Sequence, residues 1–303
     1  MQILATLLSI FIQTILPVFL VAGAGFVLAG AVQIDSRSVG RLLFYLATPS
    51  LVFRSLYRTA LDFSVLEHLA IVAVSVGLVS GLLGWIISFD QARKQRAALI
   101  LASAVSNNGN MGISISFFAF GEAGMALGAI YYVVMSFMSN TIGVMVASAG
   151  ETVLAKALRQ SLKAPVLYMA LAGLLANATQ VQLPQSLTSA IDLLANAAIP
   201  GMLILLGIQL RHAPLFHTPG VILRSVFIRL LVAPCLAWLL CNFLLIQGLE
   251  RNILLLQSGM PTAVMAAVLA TEFEAEPQLV AAVIFISTLL SMVTLSVMLW
   301  LLM

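Results

Sequence analysis

Asn107-Asn108-Gly109-Asn110-Met111-Gly112 puts three asparagines and two glycines into six positions of an otherwise apolar run. A second interruption, Gln257-Ser258-Gly259-Met260-Pro261, falls in a later apolar run. Glycine lets the chain leave helical geometry. Proline lacks a donor but suits the first turn of a new helix. Each run therefore reads as two half-helices joined by a few unwound residues, rather than as a simple kink. At membrane depth, unwound backbone is tolerated only when buried in protein or lining a wet cavity. The chemistry this predicts is binding. Half-helix N-termini carry partial positive charge and free N–H groups that suit an anion, whereas unwound carbonyls suit a cation.

The elements that must position these residues follow from composition. Of 303 residues, 62% are hydrophobic and 8% charged, against about 25% charged in a globular domain. That is the composition of a polytopic membrane protein, and long Leu/Ala/Val-rich runs exclude the short alternating segments of a β-barrel. The predicted fold class is all-α. At about 20 apolar residues per span, the length accommodates about ten transmembrane helices. The net charge of +3 is scattered singly over short loops, so no nucleic-acid partner is indicated. Cys235 and Cys241 are expected to be small buried hydrophobes. The N-terminal run has no basic residue ahead of it and no cleavage site, and reads as a retained first span.

Spans are predicted at 8–30, 38–58, 65–88, 96–120, 125–148, 163–179, 186–210, 221–246, 251–272 and 277–302. Loops after the odd-numbered spans hold Arg37, Arg41, Arg93, Lys94, Arg96, Lys156, Arg159, Lys163, Arg211 and Arg224, while the opposite face holds Arg54, Arg58 and Arg251. Ten basic residues against three put the first face in the cytoplasm and both termini outside. The location expected is the cell (inner) membrane.

The two halves of the chain resemble one another. LPVFLVAGAGFVLAG around Pro17 matches APVLYMALAGLLANA around Pro165, at an offset of 148. LATPSLVFRSL around Pro49 matches AAIPGMLILLGI around Pro200 at 151, and the same offset sets Asn110 opposite Pro261. Five spans per repeat is an odd number, so the repeats would be inverted, a common plan for secondary transporters.

NNGNMGISI followed by FGEAG, SGMPTAVMAAVLATEF, AAIPGMLILLGIQL and RLLVAPCLAWLL resemble the auxin efflux carrier family over essentially the whole chain. That family is similar in fold to the bile acid:sodium symporters. The resemblance implies scaffold helices in 1–62 and 151–218, and a moving transport domain in 63–150 and 219–303. It implies that the broken helices 4 and 9 cross, with Asn107, Asn108, Asn110 and Met111 meeting Ser258, Gly259, Met260 and Pro261 at a substrate site. It also implies a homodimer through the scaffold and a small carboxylate substrate such as malonate, malate or an auxin-like acid. The long plant carriers' large cytoplasmic loop is absent, so no comparable regulation is expected.

Other polar residues at depth offer coupling chemistry. Asp192 and Asn196 share a helical face with Pro200 and suit a proton carrier or a helix-end interaction. Ser136 and Asn140 lie in the neighbourhood that binds sodium in the bile acid symporters. The second break, however, offers only Gln257 and no carboxylate, which disfavours sodium. Arg229 is expected to snorkel to the interface or to pair with Glu272. Glu272, Glu274 and Glu276 are expected in a solvated turn. His68, His212 and His217 are expected in loops, which leaves no catalytic constellation at depth. No enzyme activity, cofactor or metal is expected. The expected function is secondary transport of a small organic anion by a rocking or elevator-like motion. The alternatives are an anion channel on the same fold and a sodium-coupled symporter of a bile-acid-like anion.

Overall fold

The structure, a computed structural model, describes residues 2–59, 62–148, 154–211 and 219–303. In chain order its helices are α1 (Gln2–Ile10), α2 (Leu16–Ala31), α3 (Ser36–Leu42), α4 (Thr48–Arg58), α5 (Phe63–Ile87), α6 (Arg93–Ala104), α7 (Ser114–Met138) and α8 (Val144–Ala147). These are followed by α9 (Leu154–Ser161), α10 (Pro165–Ala178), α11 (Gln185–Arg211), α12 (Pro219–Phe227), α13 (Ala233–Phe243), α14 (Gly248–Ser258), α15 (Val264–Glu272) and α16 (Pro277–Leu302). No strand is present among the described residues. The chain is all-helical, as its composition predicts.

Three pairs of helices joined end to end are linked by π-helical turns with a common cause. The turns Phe11–Ile15, Leu43–Ala47 and Ile228–Val232 each run into a helix with proline in its first turn, Pro17, Pro49 and Pro234. A proline has no N–H and its ring crowds the carbonyl four residues back. A locally widened turn relieves that crowding without ending the helix. Two further π turns, Asn108–Ile113 and Ser139–Gly143, lie on either side of α7.

Six helical runs among the described residues are long and apolar enough to cross a membrane. The longest, Asn108–Ala147, has 40 residues, about 60 Å of helix at 1.5 Å per residue, or twice a bilayer's hydrocarbon thickness. It cannot run straight. Gly121 interrupts it with φ +65° and ψ −157°, a conformation only glycine adopts readily, at the position where the sequence predicts a loop between two spans. The protein is a multi-pass membrane protein.

Packing is closest between α2 and α11. A Cβ built on Gly207 would lie 1.8 Å from the Ala22 carbonyl oxygen, and one on Gly25 would lie 2.2 Å from that of Ile204. The two backbones therefore touch, which is how membrane helices associate when no water drives them together. α4 lies against both α10 and α11. At its C-terminal end, Asn177 Nδ2 donates to the carbonyls of Tyr57 (2.7 Å) and Thr59 (3.1 Å). Cys241 is buried as expected, but Cys235, also in α13, is exposed. His68 lies in the first turns of α5, not in a loop, with Nδ1 3.0 Å from Glu250 Oε1. His212 and His217 fall outside the described residues.

Candidate functional site

The two interruptions predicted from sequence are both present and lie against each other. α6 ends at Ala104 and α14 at Ser258, and the unwound segments that follow are joined as a two-strand bridge pairing Ser106 with Thr262. Asn107 N–H donates to the Pro261 carbonyl at 2.8 Å, and Ala263 N–H donates to the Val105 carbonyl at 2.9 Å. The residue facing Pro261 across this bridge is Asn107. Beyond the bridge the chain re-enters helix at Asn108 and at Val264.

A cavity of about 880 Å³ ends at this junction. Its floor is buried and holds Val105, Ser106 and Asn107, beside the Gly109–Asn110 turn and the Ala263–Met265 start of α15. Both half-helix N-termini thus lie on one cavity. Asn108 N–H is held by the Ser106 carbonyl (2.9 Å) and Ala266 N–H by that of Ala263 (3.0 Å), and the remaining first-turn N–H groups have no helical carbonyl one turn back. Asn107 is 3% exposed, and its amide nitrogen has no hydrogen-bond partner in the protein. Leaving such a group unsatisfied costs about 1–3 kcal/mol. One wall is the face of α7 and the following π turn that carries Tyr132, Ser136, Ser139 and Asn140. The rim is exposed and charged, with Arg37 and Arg41 on one side and Glu272 on the other.

The family model described as "Membrane transport protein" matches residues 10–157 and 150–299. The chain belongs to this family, the auxin efflux carriers. A protein of Methanothermobacter thermautotrophicus named "Uncharacterized transporter" is 30% identical over 295 residues, spanning 93% of this chain and 95% of the relative. An uncharacterized transporter of Methanocaldococcus jannaschii is 28% identical over 283 residues, spanning 88% and 90%. A Rhizobium meliloti protein named "Putative malonate transporter" is 27% identical over 304 residues, spanning 95% and 94%.

In this membrane transporter the eight residues predicted to contact substrate divide into two groups. Asn107 and Asn110 line the cavity. Asn108, Met111, Ser258, Gly259, Met260 and Pro261 are buried and are not among its walls. Asn108 belongs to a chain of buried hydrogen bonds that ties the two interruptions together. Ser106 Oγ donates to Asn108 Oδ1, whose Nδ2 donates to the Gln257 carbonyl (2.8 Å) and to Gln257 Oε1 (2.9 Å). Gln257 Nε2 in turn donates to Ser116 Oγ at 3.0 Å. Gln257 fits because Gly112 and Gly128 lack side chains: a Cβ on either would lie 2.2 or 2.7 Å from its amide.

Of the other candidates for coupling, Ser136 and Asn140 line the cavity, with Asn140 Nδ2 donating to the Ser136 carbonyl at 2.8 Å. Asp192 and Asn196 do not line it. They face α4, where Arg58 Nη2 is 2.8 Å from Asp192 Oδ2 and Arg54 Nη1 is 2.5 Å from Asn196 Oδ1. Two of the three basic residues on the less basic face are thereby engaged.

Arg229 neither snorkels nor pairs with Glu272. It is fully buried. The π turn Ile228–Val232 carries it to the junction, where its guanidinium donates to the carbonyls of Ser103 (3.0 Å), Met260 (3.1 Å) and Ser258. Glu272 is at the cavity rim, while Glu274 is in the solvated turn expected for it, 3.2 Å from Lys94.

The residues that sequence reading missed are mainly on the facing wall. Arg37, Arg41, Tyr45 and Thr48 all line the cavity, and their spacing of four, four and three is that of one helical face. That periodicity was the available signal. Tyr132 and Gln209 carry no comparable pattern.

Proposed function

We propose that this transporter is a secondary carrier of small organic anions, binding a carboxylate at the cavity floor and exposing it alternately to the two sides of the membrane. The observation that carries this reading is electrostatic. Two half-helix N-termini and an unpartnered asparagine amide share one cavity whose rim bears two arginines. Partial positive charge at a helix start, free N–H groups and a neutral amide donor are the groups that bind carboxylate. The name of the Rhizobium meliloti relative refers to malonate, a substrate of that chemistry.

The reading includes ten crossings in two inverted five-helix halves, with the two broken helices crossing at the Ser106–Thr262 bridge. Scaffold segments 1–62 and 151–218 would hold still while 63–150 and 219–303 move as a body. The close packing of α2 on α11, and of α4 on α10 and α11, supports such a scaffold. A homodimer would use its outer face. The exposed rim carries Arg37 and Arg41, which belong to the more basic side of the membrane, so this conformation is read as open to the cytoplasm, with both termini outside.

Asp192 is read as structural. A partly exposed pair such as Arg58–Asp192 contributes about 0–1 kcal/mol. Asp192→Asn is expected to leave uptake within about fivefold of wild type, the upper size of such a term, and its pH dependence unchanged. A flattened pH profile in that variant would restore Asp192 as the proton carrier.

The reading is tested by currents on reconstituted proteoliposomes after rapid addition of malonate, malate, succinate, pyruvate, indole-3-acetate and taurocholate, with and without sodium or a pH step. Saturable, carboxylate-specific current, or labelled-substrate exchange where transport is electroneutral, is the expected result. Conductance that does not saturate would identify a channel. Silence in both assays from folded protein would remove carboxylates as the substrate class.

A further inference from the structure

Arg229 is a full charge inside the protein, 0% exposed, and among the described residues no carboxylate is in ion-pair range of it. A buried charge without compensation is costly enough that such groups are found paired. Its compensation here is unusual in kind. All four of its hydrogen-bond acceptors are backbone carbonyls: Ser103 (3.0 Å), Ala104 (3.5 Å), Ser258, and Met260 (3.1 Å). Ser103 and Ala104 are the last residues of α6, and Ser258 is the last of α14. These are the C-terminal ends of both half-helices, each carrying the equivalent of about half a negative charge. Two such ends sum to roughly one, and one guanidinium balances them. The junction is therefore polarised: both positive helix ends lie on the cavity, and both negative ends converge on Arg229.

We infer that Arg229 is a tethered internal cation. It occupies a cage of carbonyl oxygens of the kind that could otherwise coordinate a free metal cation, and it acts as a positioning residue that holds the two half-helix N-termini on the cavity. Its fork of five N–H donors reaches both helix ends at once, which a single ammonium does not. With the cage filled by the protein's own cation, the junction requires no sodium. Removing the side chain leaves two facing sets of unpaired carbonyls, which repel and release the register of the Ser106–Thr262 bridge. The consequence for transport rests on the carboxylate-carrier reading, whereas the cage itself is tested without any substrate.

The test is thermal unfolding of the purified full-length protein in detergent, for wild type and for Arg229→Ala, with chloride salts of methylguanidinium, methylammonium or sodium at equal ionic strength. Arg229→Ala is expected to unfold at least about 5 °C below wild type. Methylguanidinium should recover half or more of that difference by binding the vacated cage. Methylammonium should recover much less, and wild type should respond to none of the three salts. An Arg229→Ala protein that unfolds at the wild-type temperature would overturn the inference. So would recovery that methylammonium gives equally, or a rise with sodium in wild type. If Arg229→Ala cannot be purified, Arg229→Lys and Arg229→Met decide. A tethered cation predicts folded protein from Lys and not from Met, and the two behaving alike, whether folded or lost, would overturn it. A deficit in carboxylate uptake by folded Arg229→Lys, with uptake by wild type independent of sodium, is the expected transport result. Absence of carboxylate uptake by wild type, with the cage confirmed, would count against the carrier reading and not against the cage, whereas wild-type uptake by folded Arg229→Lys would overturn the positioning role.

Discussion

Asn107→Leu is expected to lower carboxylate uptake at subsaturating substrate by about 10- to 100-fold without lowering the unfolding temperature. The size follows from removing one charge-assisted hydrogen bond to an anion, worth about 1.5–3 kcal/mol. The absence of a stability penalty follows from what Asn107 does in the fold. Its backbone holds the junction, through N–H to the Pro261 carbonyl at 2.8 Å and through its own carbonyl to Gly112 N–H at 3.0 Å, and leucine keeps both. The lost amide nitrogen has no partner in the protein, so its removal relieves an unsatisfied buried donor. Asn110→Leu should act in the same direction, since that residue also lines the cavity and its carbonyl bond from Ser114 Oγ is retained. Uptake assays paired with melting curves check both halves. Wild-type uptake by a well-folded Asn107→Leu protein would take this residue out of the site, and a clear drop in melting temperature would show that its amide serves the fold instead.

Gly207→Ala should cost the protein its fold. The added methyl carbon would sit 1.8 Å from the Ala22 carbonyl oxygen and 2.7 Å from the Phe26 nitrogen. Both are backbone atoms of α2, and no rotamer change can move them. Relief requires separating α2 from α11 along a contact that also runs through Gly25 and the Ile204 carbonyl. Overpacking of this kind costs about 3 kcal/mol or more, a large part of a typical domain's stability of about 5–15 kcal/mol. Gly23→Ala is the control, because it lies on the partner helix α2 with nothing within 4 Å of its would-be Cβ. Size-exclusion profiles from crude detergent extracts should show a monodisperse peak for Gly23→Ala and none for Gly207→Ala. Equal recovery of the two variants would mean that the helices are not in backbone contact.

What could be read from sequence was whatever leaves a local mark. The interruptions at Asn107–Gly112 and Gln257–Pro261 stand out because glycine, asparagine and proline are out of place in apolar helices, and the structure has non-helical backbone beside both. The helical class follows from run length alone. What could not be read depends on partners distant in sequence or on backbone atoms that every residue shares. Arg229 looked like a residue that would reach the interface or find a carboxylate, because both of those are visible in a sequence and convergent helix-end carbonyls are not. Asp192 looked like a lone intramembrane acid, because its partner Arg58 is 134 residues away. Asn108 and Gln257 were each legible as polar residues at a break. Their pairing, and the assignment of Asn108 to the junction and not to the cavity wall, needed the three-dimensional fold.

The bridge between the two interruptions is made of peptide groups, and that bears on how such a protein can change over time. The bonds from Asn107 to Pro261 and from Ala263 to Val105 engage N–H and C=O, so substitution of the side chains at positions 105, 107, 261 or 263 does not by itself delete them, provided proline enters at neither donor. The frame of the cavity is thereby insulated from the residues that furnish its chemistry. On the carrier reading proposed above, side chains on the floor and on the α7 wall could be exchanged to suit a longer, bulkier or less charged cargo while the two helix starts stay where they are. On that reading, diversification of cargo would need point changes and no rebuilding of the frame.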